Sequence, residues 1–112
     1  MKNILEQYLN KINLFENLLS KYKEVVVYKT ENDISTGLLR FNKAPKNKIF
    51  LFVFLSEEIL EFHTIGMKFP INIYFFNSNK ELVSFYNNVK PEIELIDSKK
   101  PSRYVIEEIY ET

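Results

Sequence analysis

His63 is the only histidine in the chain, and Glu61, Thr64 and Asn72 lie close to it in sequence. It opens the run His63-Thr64-Ile65-Gly66-Met67-Lys68-Phe69-Pro70-Ile71-Asn72, which also holds one of only two glycines. An imidazole titrating near neutrality suits a general base or a proton relay. In an extended segment Glu61 shares a face with His63 and can orient it, while Thr64 adds a hydroxyl and Asn72 an amide. A structural role accounts for the same residues. Gly66 permits a positive φ or a close backbone approach, and His63 and Thr64 then hydrogen-bond the backbone of the turn. The residue types suit, in descending order, turn pinning, ligand binding and catalysis. His63, Thr64, Met67 and Asn72 are therefore the candidate ligand-binding residues, and Gly66 and Pro70 the turn-forming ones. No residue is assigned a catalytic role, and the reading leans away from an enzyme.

Other chemistries find less support. With one histidine and no cysteine, a metal site would need carboxylates, and Glu57, Glu58 and Glu61 form an acidic cluster near the histidine. These suit a solvated turn and strand edge better, so neither metal nor cofactor is expected. There is no P-loop, dinucleotide glycine pattern, Gly-x-Ser-x-Gly or His-Glu-x-x-His. Two glycines leave almost nothing with which to cradle a phosphate. The basic loop of Arg40, Lys43, Lys46 and Lys48 reads as solvated rather than phosphate-binding.

These residues need a scaffold, and the composition supplies one. The 112 residues suit a single domain, 1–112, with an N-terminal helical part (1–20) and a β part (24–110). Hydrophobic residues make up 46% and aromatics 15%, enough for a packed core and against general disorder. Fifteen basic residues balance fifteen acidic ones, so no broad field attracts nucleic acid or an anionic membrane. The aromatics lie in strands without interleaved basic residues, which does not indicate a base-stacking surface. No run approaches the roughly 18 apolar residues of a membrane span, and Glu6, Asn10, Asn13 and Glu16 interrupt any secretory h-region. Together with the absent cysteines this reads as a cytoplasmic protein.

Residues 2–20 predict an amphipathic helix, with Ile4, Leu5, Tyr8, Leu9, Ile12, Phe15, Leu18 and Leu19 on one face. Residues 24–30 predict a strand rich in valine. Ile34 to Arg40 predicts one or two helical turns capped by Asp33 or Ser35. The apolar run Ile49–Leu55 predicts a strand buried on both faces, with Ser56-Glu57-Glu58 turning the chain after it. Ile59–His63 alternates. In the next strand Ile71, Ile73 and Phe75 face one way and Asn72, Tyr74 and Phe76 the other. Asn77-Ser78-Asn79-Lys80 predicts a turn into a hairpin partner, Glu81–Tyr86. A further short strand runs from Pro91 through Ile93, Leu95 and Ile96, and Asp97–Pro101 is a loop. Val105, Ile106, Ile109 and Tyr110 have helical spacing, although Tyr104-Val105-Ile106 is also strand material.

The block His63–Asn77 resembles the DUF192 (UPF0127) family, whose members read His-Thr-x-Gly-Met-Arg-Phe-Pro-Ile-Asp followed by an apolar strand ending in Leu-Asp. Gly37-Leu38-Leu39-Arg40, Leu82-Val83, Val89-Lys90-Pro91 and Tyr104-Val105-Ile106-Glu107 are similar to flanking family segments and occur in family order, so the resemblance spans about residues 25–108. It implies a small, mostly β, barrel-like fold, favours a strand over residues 103–111, and carries no assigned activity. The sequence departs from the family pattern at Asn72 and Asn77, where the family has aspartates, and lacks its Ala-Gly and Gly-Asp tail. The loss of two carboxylates weakens metal or acid–base chemistry there.

The expectation is an α+β domain: a small, mostly antiparallel sheet or barrel-like domain of about six to seven strands, with the N-terminal helix packed on it. Its expected function is non-catalytic binding of a small ligand or peptide near the His63–Met67 turn. The alternative is a protein-interaction or self-association module using the N-terminal helix or a strand edge, including association into a homo-oligomer. A His63-based enzyme comes last.

Overall fold

The computed structural model describes residues 13–111. Residues 13–20 form a helix, α1, and residues 2–12 of the expected helix lie outside the described residues. Seven strands follow among the described residues: β1 (Glu24–Tyr28), β2 (Lys48–Glu58), β3 (Glu61–Phe62), β4 (Ile71–Phe76), β5 (Leu82–Val89), β6 (Ile96–Asp97) and β7 (Ser102–Ile109). A short helix, α2 (Glu31–Thr36), and a 3-10 turn, Gly37–Arg40, connect β1 to β2. Five strands make one mixed sheet in the order β1-β2-β7-β4-β5, and β3 pairs with β6. Only the β1–β2 pair is parallel within the large sheet. The sheet is open, with β1 and β5 at its edges. No helix of the described residues is long and apolar enough to cross a membrane.

β7 is the centre of the sheet, between β2 and β4. Both its faces are covered, so the neighbours Val105 and Ile106 are both fully buried although they point opposite ways. That double burial removes the alternation that marks a half-buried strand. It leaves adjacent apolar residues whose spacing also fits a helix, so the helical pattern of 103–111 is misleading.

Each face of the sheet has its own core. On one, Phe15 and Leu18 of α1 pack against Ile49, Phe76 and Ile106. On the other, Phe50, Phe52, Ile71, Ile73, Phe75 and Val105 meet a layer built from Leu38, Leu60, Met67, Phe69 and Ile96. β4 divides as its alternation predicts, Ile71, Ile73 and Phe75 lying in the second core and Phe76 in the first.

Four local expectations are corrected. Double burial of Ile49–Leu55 holds at Ile49, Phe50 and Phe52 but fails at Leu55, which is 98% exposed. Regular pairing of β2 with β7 is interrupted after Val53↔Tyr104 and resumes at Glu58↔Ser102, and Leu55 lies in the irregular stretch between. Ser56-Glu57-Glu58 is not a turn, since β2 runs on to Glu58. Of the strand expected from Pro91, only Ile96 survives, in β6, because Leu60 and Ser98 tie the chain there: the Leu60 N–H donates to Ser98 Oγ and the Ser98 N–H to the Leu60 carbonyl, both at 2.9 Å. The cap of α2 is Thr30, whose hydroxyl accepts from the Asp33 N–H at 3.1 Å. Asp33 instead lies in the first turn, where its charge suits the helix dipole.

Candidate functional site

β7 sends alternate side chains to opposite faces, and its Glu107-Glu108 pair therefore places one carboxyl on each. Glu107 points toward the face carrying Val105, with Phe50 and Ile73 as its cross-strand neighbours. There it lines a cavity of about 170 Å³. Phe52 and Phe54 of β2 and Phe62 of β3 form an aromatic wall. Phe62 meets Phe52 edge-on at 5.5 Å and Phe54 at 6.1 Å between ring centroids. α2 and the Gly37-Leu38-Leu39 turn form the opposite side, and Glu61, His63 and Met67 complete the lining. Gly37 ends α2 at φ 47°, its N–H bonded to the Asp33 carbonyl. This left-handed φ favours glycine. A second groove of about 460 Å³ adjoins the cavity through Ile34, Ser35 and Phe54 and runs out to Leu55 and Glu58.

The electrostatics centre on Glu107. The residue is 5% exposed. Burial alone pushes its carboxyl up to about 8. Glu108, on the other face, has the opposite environment. It accepts from Tyr22 Oη at 2.5 Å, Tyr74 Oη at 2.8 Å and Asn72 Nδ2 at 3.0 Å. Burial works against its charge, but these three donors prevail and hold its carboxyl below the usual range. Tyr22 and Tyr74 are pushed well above the ordinary phenol value, first by burial and then by their bond to Glu108.

The candidate residues from the sequence divide between these places. His63 is exposed at the cavity, and its Nδ1 accepts from the Ile65 N–H at 3.2 Å. That bond leaves Nε2 as the N–H of the neutral ring. Met67 is buried and also lines the cavity. Thr64, 1% exposed, pins two loops: its hydroxyl donates to the Lys90 carbonyl at 2.7 Å and accepts from the Ile93 N–H at 3.0 Å. Gly66 turns the chain at φ 85°, its N–H donating to Glu92 Oε1 at 3.0 Å. A Cβ there would sit 3.3 Å from Leu39 Cδ2. The Pro70 carbonyl accepts from the Tyr110 N–H at 3.1 Å, which fixes the entry to β4. Asn72 is not brought to the cavity. It faces the other way, where Nδ2 reaches Glu108 and Oδ1 accepts from the Asn88 N–H at 2.9 Å. Asn77 closes the β4–β5 turn, its Oδ1 accepting from the Asn79 and Glu81 N–H groups, both at 3.0 Å.

Sequence reasoning missed Glu107. The available signal was the acidic pair inside an otherwise apolar run, Tyr104 to Tyr110. Once that run is a central strand, one of the two carboxyls must enter the core beneath the His63 turn. Among the described residues no group of three or more His, Cys, Asp or Glu side chains converges as a metal ligand set.

Comparison with known proteins agrees with this fold. The model of the DUF192 family, described as an uncharacterized ACR, matches residues 16–110. No curated protein matches the chain. A crystal structure from Sinorhizobium meliloti 1021, described as that of a candidate transcription regulator, superposes with a TM-score of 0.71 at 22% identity, covering 77% of this chain and 67% of the other. A protein of unknown function from Novosphingobium aromaticivorans DSM 12444 superposes with a TM-score of 0.71 at 16% identity, covering 77% of this chain and 62% of its own. At these identities the likeness shows the fold, and the chain spans about two thirds of the length of these structures.

Proposed function

The chain belongs to the DUF192 family, and from that premise we propose that the domain binds a small molecule, without transforming it, in the cavity between Glu107, the Gly37 turn and the His63–Met67 turn. The observation that carries this reading is Glu107: a buried carboxyl that faces an open space instead of a partner. Desolvating such a group costs several kcal/mol when nothing compensates. Unpaired ionisable groups in clefts are concentrated at functional sites for that reason. A ligand supplies the missing partner. His63 and Met67 border the same space and serve as contacts, the imidazole with Nε2 and the thioether with its adaptable shape. Thr64 and Gly66 hold the turn that presents them.

The test is a thermal-shift screen of small fragments against the wild type and Ser35→Tyr. Ser35 is exposed on α2 at the cavity rim, so a tyrosine there obstructs the mouth from the surface. Fragments should stabilise the wild type and lose that effect in the variant. No stabilising fragment, or stabilisation that survives Ser35→Tyr, would contradict the assignment.

A second reading, association through β1, is favoured by Val25 and Val27. They are 38% and 42% exposed on an edge strand of the open sheet. Its test is the oligomeric state of the wild type against Val27→Lys in sedimentation velocity. Dimer lost in the variant supports it, and a monomeric wild type removes it.

A further inference from the structure

The cavity lining favours one class of molecule. Two carboxyl side chains, Glu61 and Glu107, line it, and neither lysine nor arginine does. An anion would meet like charge there, and a purely apolar guest would leave Glu107 as unpartnered as before. One side of the remaining wall is aromatic, from Phe52, Phe54 and Phe62, and aromatic faces attract cations. The volume, about 170 Å³, sets the scale: an engineered apolar cavity of roughly 150 Å³ in another protein holds benzene.

On the reading that this cavity is a ligand site, we infer that its ligand is a small organic cation, a primary amine or amidine on an apolar body of about benzene's size. Its N–H groups pair with the Glu107 carboxylate, its body lies against Phe52, Phe54 and Phe62, and Glu61 attracts it at the mouth. A longer ligand extends into the adjoining groove past Ile34 and Phe54.

Binding then moves a proton. Empty, the cavity keeps Glu107 mostly protonated at neutral pH, because burial raises it to about 8. An ammonium ion entering the site pairs with the carboxylate, and the carboxyl proton leaves to solvent. One cation enters and one proton departs, so charge balances. The other titratable groups near Glu107 are Glu61 and His63 at the mouth and Tyr28 on β1, which interacts with it electrostatically. Its strand neighbours Phe50 and Ile73 do not titrate, nor do the lining residues of α2 and the 3-10 turn.

The experiment is isothermal titration of the full chain with benzylamine, benzyl alcohol and benzoate, three probes of one size and different charge. Benzylamine should bind at least about tenfold more tightly than benzyl alcohol, with benzoate weakest. Between pH 6 and 7 its affinity should rise by up to roughly tenfold. Titrations in buffers of different ionisation enthalpy should show release of close to one proton. In Glu107→Gln the preference for benzylamine over benzyl alcohol should vanish, with the variant's fold checked by circular dichroism. Probe ranking and proton release need no variant, so they stand if Glu107→Gln does not fold. Equal or tighter binding of benzyl alcohol or benzoate overturns the cation assignment and leaves the cavity a ligand site. The same follows if all three fail while other fragments stabilise the wild type but not Ser35→Tyr. Failure of every probe and fragment overturns both.

Discussion

Glu107 and Glu108 are adjacent in sequence and occupy opposite faces of one central strand, and nothing about their environments is shared. Glu107 borders a cavity and has burial alone acting on it, whereas Glu108 is held by Tyr22, Tyr74 and Asn72. The first carboxyl is raised and the second lowered. Glu108 is therefore accounted for by the fold, because its donors stitch α1's end and β4 to β7. On the proposed reading, Glu107 is accounted for by a molecule that enters the cavity.

Glu107→Gln should flatten the dependence of stability on pH. The folded-state value of Glu107 is raised from 4.5 to about 8, so its contribution is fully present below 4.5 and is lost as pH rises through 8. Across that window the wild type should lose on the order of 4 kcal/mol from this group. A glutamine does not titrate and removes this loss, so the variant should be the more stable protein at pH 8. Urea denaturation at pH 5, 6.5 and 8 checks this. Parallel curves for the two proteins would show that Glu107 titrates normally.

Tyr22→Phe and Tyr74→Phe should each cost about 2 kcal/mol at pH 7, the scale of a hydrogen bond to a charged acceptor. Because the Glu108 carboxyl is lowered, its contribution is present above its ordinary value and lost as pH falls through the depressed one. The wild type should therefore weaken on acidification below about pH 4 through this group, and both variants should show a smaller loss there. Denaturation midpoints at pH 7 and pH 3 measure the two effects.

Much of the scaffold was legible, and the exceptions have physical causes. The alternation Ile71–Phe76 was readable because its two faces differ in chemistry, Asn72 and Tyr74 opposing Ile71, Ile73 and Phe75. The turn at Asn77 was readable because its side chain replaces a backbone acceptor. β7 was not readable from pattern, since burial on both faces erases the period of two. The resemblance, not the periodicity, indicated a strand there. The end of β2 failed for the opposite reason: Leu55 is as apolar as its neighbours, yet it lies where the register with β7 shifts and its side chain is left exposed. Of the candidate residues, His63 and Met67, chosen by residue type, line the cavity. Asn72 was grouped with them by closeness in sequence, but strand alternation turns it away. Glu107 lies 44 residues beyond His63 in numbering and reaches the same space only through strand pairing.

Thr64→Val should destabilise the protein by about 1–3 kcal/mol, because it leaves the Lys90 carbonyl and the Ile93 N–H without their partner in a partly buried place. Thr64→Ser keeps both bonds and should cost roughly 1 kcal/mol for the lost methyl. Chemical denaturation of the pair separates the hydroxyl from the shape. Equal losses would mean that the hydroxyl does not pin the 90–93 loop.

The most direct test of the proposed binding site is where a ligand sits. Benzylamine in slow titration against isotope-labelled wild type should give intermolecular nuclear Overhauser effects to the Met67 methyl and to the Phe52 and Phe62 rings, with the Glu107 side-chain carboxyl shifting toward its ionised position. Contacts confined to Val25, Val27 or Phe85 on the sheet edges, with Met67 and Glu107 unchanged at saturation, would contradict the account.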